Sequence, residues 1–277
     1  METFIDWLLK SSEDFQFILY FGILGVLIIA ELILQFRPVS KKKRWLANFA
    51  LTLIAIVTML ALPISFISAA KLAAENQWGL LNIIEVYWII SFVLTMLLRG
   101  FISFITHYLM HKVPLFWRIH RVHHLDTEMD VSTTVRFHPF EFLVNICIGV
   151  PIIILFGFPL WPLLLYELLD IVITLISHSN IQMSKKLDSI LRYIIVTPNL
   201  HRIHHSVHQP ETDSNFSAVF PIWDILFGTF RTRTRLPSQS MELGLEEVRD
   251  DRTSNIPWLL LSPFKTFHKK RKGSKTA

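Results

Sequence analysis

A single cysteine, Cys147, stands among the 277 residues. Disulfides and thiolate metal sites within one chain are therefore both excluded. Charge is scarce too: 18% of the residues are Asp, Glu, Lys or Arg, against 52% hydrophobic. The first residues are acidic rather than basic, so no cleavable signal peptide is expected. No His-Glu-x-x-His word is present, and no Glu-x-x-His pairing lies near the histidine clusters. The first absence argues against a zinc hydrolase, and the second against the carboxylate-rich dinuclear sites of soluble four-helix bundles.

Histidine is where the chemistry concentrates. His120-Arg121-Val122-His123-His124 is echoed 81 positions later by His201-Arg202-Ile203-His204-His205, and His107 and His111 precede the first word at a spacing of four. At this histidine content, one His-x-x-His-His word is expected by chance about 0.02 times. Residues three and four apart share a helical face. His107 and His111 can thus present two imidazoles together, and each five-residue word three. Arg121, Val122, Arg202 and Ile203 would turn away toward lipid, headgroups or packing. Neutral imidazole suits Fe, Zn, Cu or Ni. Eight imidazoles exceed the four ligands of one tetrahedral zinc, and eight or nine match two metals that each keep an open position.

Long apolar runs place these clusters at a membrane. Residues 15–36 are interrupted only by Gln16, Glu31 and Gln35; residues 46–70 carry no charge; residues 80–98 carry one acid, Glu85. Residues 142–178 form a longer stretch broken by Gly157-Phe158-Pro159 and Pro162. It reads as two helices of roughly 16 residues joined by a tight turn, short for a clean crossing. Four membrane helices are expected in all. The first linker holds Arg37, Lys41, Lys42, Lys43 and Arg44, whereas the opposite side holds Lys10 and Lys71. The bias of Lys and Arg puts that linker, and every histidine cluster, on the cytoplasmic side. The net charge of +5 then reads as a face drawn to anionic headgroups rather than to nucleic acid.

The third span should continue past Arg99 as a helix to His111, carrying His107 and His111 roughly 12–18 Å beyond an interface at Arg99, with Gly100 as a candidate bend. Residues 179–250 read as a cytoplasmic segment in which 220–230 rest on the membrane surface. Residues 256–264, followed by Lys269, Lys270, Arg271 and Lys272, read as an interfacial anchor and basic tail. The fold class is all-α: a bundle of about four membrane helices under a cytoplasmic helical cap that carries a histidine-rich di-metal site. The expected division is 1–79 for the N-terminal membrane helices and basic linker, 80–235 for the catalytic unit, and 236–277 for the C-terminal segment.

The order His-x₃-His, His-x₂-His-His, a lone His178 after the last span, then a second His-x₂-His-His resembles the fatty acid hydroxylase / sterol desaturase superfamily of integral-membrane di-iron oxygenases. Arg136-Phe137-His138-Pro139 with Glu141, His178-Ser179-Asn180, Asp213 with Asn215, and residues 223–229 look similar to stretches of that family. The resemblance covers about residues 80–230. It implies hydroxylation or desaturation of a sterol, fatty acyl or ether lipid with O₂ as co-substrate and two iron ions, zinc being able to replace iron in isolated protein. It implies as metal ligands, and as the catalytic set, His107, His111, His120, His123, His124, His178, His201, His204 and His205. An external electron donor (a cytochrome, ferredoxin or reductase) is implied as well, because the chain has no His-Pro-Gly-Gly heme motif of a fused cytochrome.

The residues alone keep other readings open. His178 is either a ligand or a satisfied core histidine, with Asp170 and Thr174 on its helical face. His138 is either a ligand or a structural group beside Pro139 and Glu141, while His208 and His268 read as surface residues. Asp126, Asp130, Glu141, Asp213 and Asp224 read as partners of imidazole N–H groups or as surface acids. Glu167 and Asp170 line a substrate entrance or pair internally, and Glu31 and Glu85 read as helix-packing or interface residues. The main functional competitor is a histidine-rich membrane metal-binding or metal-transport protein, although transport would place ligands at mid-bilayer, where these spans hold almost none. A bis-histidine heme carrier would need single facing histidines, not adjacent pairs.

Overall fold

Each apolar run becomes a helix because its backbone polar groups have no other partner in lipid. The computed structural model describes Trp7 and residues 11–267; Lys10, His268 and the run Lys269, Lys270, Arg271, Lys272 lie outside them. Helices follow in the order α1 (Ser12–Leu34), α2 (Lys42–Leu60), α3 (Phe66–Glu75), α4 (Leu80–Ile83), α5 (Trp88–Lys112), α6 (Pro114–His124), α7 (Phe140–Phe156), α8 (Leu160–His178), α9 (Lys185–Leu191), α10 (Pro198–His204), α11 (Gln209–Thr212), α12 (Ile222–Leu226) and α13 (Ile256–Leu261). Short 3₁₀ turns occupy Val131–Val135, Asp251–Ser254 and Ser262–Phe264. No strand occurs among the described residues, only three isolated bridges. The chain is all-helical.

Among the described residues, four helices are long and apolar enough to cross a membrane: α1 from Asp14, α2, α5 and α8. Their outer faces suit lipid, with Ile33 76% and Leu60 80% exposed. The chain is built as a multi-pass membrane protein. The helix bounds differ from the apolar runs for local reasons. Residues 46–70 are two helices, not one span: α2 begins earlier, at Lys42, and ends at Leu60. Pro63 disfavours helical backbone before it, and Ser65 caps α3, its Oγ accepting from the Ser68 amide at 3.1 Å. Residues 80–98 are split likewise; Ile84 to Tyr87 are non-helical, and α5 starts at Trp88.

The hairpin is as expected in outline, but its arms are 17 and 19 residues long. Gly157, at φ 63°, makes the turn, and its Cα side lies against the backbone of Gly79, where a Cβ would have no room. Pro162 does not break α8. It sits in the first turn, where its missing N–H costs nothing.

α5 runs unbroken through Gly100, where the absent side chain admits Trp223: a Cβ would meet its Nε1 at 3.2 Å. Arg99 faces the bundle interior. It is buried, its Nε donates to Glu167 Oε1 at 2.6 Å, and Asp170 stands 3.8 Å away. Glu167 and Asp170 therefore pair internally. Glu31 is a packing residue: its Oε1 accepts the amides of Val131 at 2.8 Å and Asn180 at 2.6 Å, tying α1 to the end of α8.

The loop after α6 is held by charge. Arg44 Nη1 donates to Asp126 Oδ2 at 2.8 Å and Nη2 to Asp130, while Trp45 Nε1 donates to Asp130 at 2.9 Å. Fully buried Arg136 donates to the carbonyls of Val122 (2.8 Å) and Thr253 (2.7 Å) and to Asn48 Oδ1 (2.8 Å). Asp126 and Asp130 are thus neither imidazole partners nor surface acids. They fasten the basic first linker to the end of α6. Ala47 and Leu51 of α2, Val122 and Leu125 beside the first histidine word, and Leu245, Val248 and Leu259 share one core. The C-terminal helix is partly interior, although Leu261 and Phe264 stay exposed.

Candidate metal centre

Three chain reversals aim the histidines at one place. Val113, extended before Pro114, ends α5 and starts α6 in a single step, folding His120, His123 and His124 back toward His107 and His111. His178 is the last residue of α8. Thr197 caps α10, its Oγ1 accepting from the Leu200 amide at 3.2 Å, and Pro198 fills the first helical position. That cap turns His201, His204 and His205 inward.

All nine histidines expected from the resemblance come together, in two groups. His107, His111, His120, His124 and His204 form one; His123, His178, His201 and His205 form the other, the candidate nitrogens of each group lying within 4.8 Å of one another. The groups abut: the ring centroids of His124 and His205 are 4.7 Å apart, and those of His120 and His123 5.4 Å. Each five-residue word presents three imidazoles on one side, but they do not serve one site. The first word gives two rings to the first group and one to the second, and the second word does the reverse. His178 belongs to the second group. It is no longer a lone core histidine.

Hydrogen bonding fixes which nitrogens face inward. The Nδ1–H groups donate outward: His107 to the Phe216 carbonyl at 2.8 Å, His204 to the Ser214 carbonyl at 2.8 Å, His178 to the Thr174 carbonyl at 2.8 Å, and His123 to the Arg136 carbonyl at 3.2 Å. His120 Nδ1 donates to Glu141 Oε1 at 2.9 Å, and Asp213 Oδ1 stands 3.5 Å from His111 Nδ1. Each neutral ring with its proton on Nδ1 has a bare lone pair on Nε2. Such lone pairs face one another in His107 and His120 at 3.0 Å and in His123 and His178 at 3.2 Å, and the Nε2 atoms of His201 and His205 stand 3.0 Å from that of His178 and 3.1 Å from that of His123. Two acceptors so placed repel unless a cation stands between them. The separations are those of ligands about 2.1 Å from a shared ion at angles of roughly 90–105°. Buried Nε2 atoms of His111, His124 and His204 have no hydrogen-bond partner. The donor set fits two metal ions.

Burial favours the neutral form of His123, His124 and the three rings of the second word. It holds His123, His124, His201 and His205 well below the ordinary histidine range, with neighbouring imidazoles adding to the effect. Burial likewise pushes His204 down to about 3. A folded pKa lying below the unfolded one means that the unfolded chain binds more protons between the two values, so stability falls as pH drops. Metal-free protein is therefore expected to lose thermal stability from about pH 6.5 downward and to keep losing it toward pH 3. Loaded protein should release metal over the same range, because protons compete for the same lone pairs. Melting curves and metal content between pH 8 and pH 4 check this; an unchanged apo melting point across the range would refute it.

The other candidates fall outside the two groups. His138 Nδ1 accepts the Phe140 amide and its Nε2 faces the Leu260 carbonyl, each at 3.2 Å, so its part is structural. His208 is half-buried and in neither group. Arg121 and Arg202 turn away from the centre into packing, not lipid: Arg121 donates to the carbonyls of Ser262 and Lys265, and Arg202 stacks over Phe36. Asp224 receives the amides of Phe216 at 2.7 Å and Ser217 at 2.8 Å, which orients the carbonyl under His107. Sequence reasoning missed the backbone carbonyls, which leave no trace in residue type. It also missed Trp117, against His111 and His124, and Phe216, against His107, His111 and His204. Trp117, one turn before His120, was within reach of helical spacing; Phe216 was not.

A family profile described as fatty acid hydroxylase matches residues 92–229, a stretch holding all nine clustered histidines. Over 160 residues the chain is 34% identical to an ornithine lipid hydroxylase of Rhizobium tropici, covering 57% of this chain and 47% of that protein. Alkylglycerol monooxygenase of Caenorhabditis elegans is 25% identical over 160 residues, covering 55% of this chain and 30% of the relative. The Xenopus tropicalis alkylglycerol monooxygenase is 25% identical over 214 residues, covering 74% and 45%. The matched chain thus spans less than half the length of these relatives. No solved structure matches it.

Proposed function

Because the chain belongs to the fatty acid hydroxylase superfamily, we propose that it is a membrane di-iron oxygenase that hydroxylates a polar lipid near its headgroup. The observation that carries this reading is the pair of abutting imidazole groups with inward Nε2 atoms at the ends of two spanning helices. His107, His111, His120, His124 and His204 would hold one iron, and His123, His178, His201 and His205 the other. When bound, such a pair supplies the reduction of O₂ and the attack on an unactivated C–H bond. The overall change is R–H + O₂ + 2 e⁻ + 2 H⁺ → R–OH + H₂O.

The chain's own residues bind and position. Glu141 and four backbone carbonyls hold five of the rings in the tautomer that ligates, and the Asp213 carboxylate stands 3.5 Å from His111 Nδ1. α5 and α8 converge on the centre from the bilayer, so a lipid lying along them would bring its headgroup-proximal carbons to it. The relatives' names, hydroxylase and monooxygenase, favour oxygen insertion over desaturation. The basic first linker lies at the same end as the centre through Arg44 and Arg37, whose carbonyl accepts from Asn180 at 2.7 Å. The Lys and Arg bias then makes that end cytoplasmic.

Mössbauer spectroscopy and metal analysis of ⁵⁷Fe-enriched, detergent-purified protein test the reading. Two coupled irons per chain, with oxygen-dependent hydroxylation of added ornithine or ether lipid, are expected. Heme absorbance, or no tightly bound metal after iron supplementation, would defeat it.

A further inference from the structure

The centre has an outer wall that the reaction above does not use. One short loop carries three contacts to the first imidazole group: Asp213 toward His111, the Ser214 carbonyl to His204, and the Phe216 carbonyl to His107. Between them Asn215, at a positive φ of 54°, faces the other way. Its Oδ1 accepts the Arg231 amide at 2.8 Å, and its Nδ2 donates to the Arg231 carbonyl at 2.9 Å. Glu211 binds the Arg235 amide through Oε1. Residues 231–235 are thereby fastened alongside the loop. Their exposure alternates: Arg231, Arg233 and Arg235 are exposed, while Thr232 and Thr234 are half-buried.

No acidic side chain pairs with any of these three guanidinium groups among the described residues. A surface groove of about 330 Å³ is lined by Arg231 and Arg233 together with Pro210, Asp213 and Ser214. Lys185 lines a second groove together with Thr232 and Thr234. Three unpaired arginines in a row are unusual for a surface that needs only solubility. Here they stand one asparagine away from the residues that hold His204 and His107.

We propose that Arg231, Arg233 and Arg235 form the docking ridge for an acidic redox protein, which delivers electrons to the centre through the 213–216 loop. The inference rests on the oxygenase reading: each turnover needs two electrons, lost by the donor's reduced cofactor and gained, with two protons, by O₂. Charge complementarity supplies the partner's chemistry, since a cationic ridge steers a protein with an acidic rim around its cofactor. The route inward is short, from the Arg231 backbone through Asn215 to Ser214 and the His204 ring, by contacts of 2.8 Å.

The test uses the full chain, iron-loaded, in discs of neutral phosphatidylcholine. Anaerobic reduction of the irons is followed by stopped flow with two reductants: a reduced plant-type ferredoxin, which is acidic, and photoreduced deazaflavin, which is small and neutral. R231E/R233E/R235E and the milder R231Q/R233Q/R235Q are compared with the parent. Ferredoxin reduction of the parent should slow with added salt. Charge reversal should slow it roughly tenfold or more at low salt and abolish the salt dependence, with the glutamine variant intermediate and deazaflavin reduction unchanged. Equal ferredoxin rates in all three proteins would overturn the proposal. Equal slowing by both reductants would overturn it too, by showing a structural effect. A defect that emerges only in discs containing phosphatidylglycerol would assign the ridge to anionic headgroups instead. Irons in the parent that deazaflavin cannot reduce would overturn the oxygenase reading, and the docking inference with it.

Discussion

His123→Ala and His204→Ala are each expected to lower lipid hydroxylation at least about 100-fold, beyond the 10–100-fold typical of losing a ligand's outer partner. Metal content should fall below two per chain. His123 is one of four donors in its group, with Nε2 3.1 Å from His205 and 3.2 Å from His178. His204 is the second word's single contribution to the five-membered group. Because the groups share walls, the loss of either ring disturbs both. The fold should survive. In metal-free protein the facing lone pairs repel, so removing one ring gives back part of the packing it takes away, and the apo melting point should change little. Glu141→Gln, which keeps a hydrogen bond to His120 but removes the charge behind it, should fall in the milder 10–100-fold range. Metal analysis, turnover and melting in detergent read all three; full activity in either alanine variant would sink the ligand assignment.

Arg44→Met should be the most destabilising single change outside the centre. Its guanidinium compensates Asp126 and Asp130, whose side chains are 1% and 0% exposed. Removing the cation leaves two buried carboxylates with only neutral donors and Arg136 nearby, a loss of about 3–5 kcal/mol by analogy with other broken buried pairs. The melting point should fall accordingly, and R44M/D126N/D130N should recover most of the loss, since neutral amides need no counterion.

The pH dependence has a definite sign. Burial by itself raises the Asp126 pKa, but Arg44 and Arg136 outweigh it and hold the group below the usual carboxylate range. A depressed carboxylate contributes stability that is present above its unfolded pKa of about 3.9 and is lost as pH falls through the folded value. In Arg44→Met burial is opposed, among charged groups, by Arg136 alone and pushes the carboxylate up. Protonation therefore relieves the variant first, and the gap between variant and parent should narrow as pH falls toward 4, then narrow further below about 3.9 as the parent loses its own advantage. A gap that widens with acidity would contradict the assignment. Because Asp126 follows the first histidine word by two residues, metal affinity should weaken alongside stability.

Much of the centre was legible because its information is local. Helical spacing alone puts His107 with His111 and makes each five-residue word one-sided, and composition alone gives the spanning helices. What failed to show were facts about neighbours. Residues 46–70 look like one span until Pro63 and the Ser65 cap divide them. Nothing local shows that Arg99 is neutralised inside the bundle by Glu167 and Asp170, 68 and more positions away. Asp126 and Asp130 look like outer partners for histidine until Arg44 claims them from the far side of the loop.

By itself the sequence determined the all-helical membrane architecture and the eight histidines of the three clusters, while His178 joined them only through the family resemblance. Periodicity, hydropathy and donor chemistry are properties of a stretch of chain wherever it folds. Only the tertiary structure decided that each histidine word is divided between two groups, which Nδ1 protons are held by carbonyls, and which loop stands between the centre and the arginine ridge. Those outcomes depend on which elements meet and at what distance, and neither is written in the order of residues along one helix.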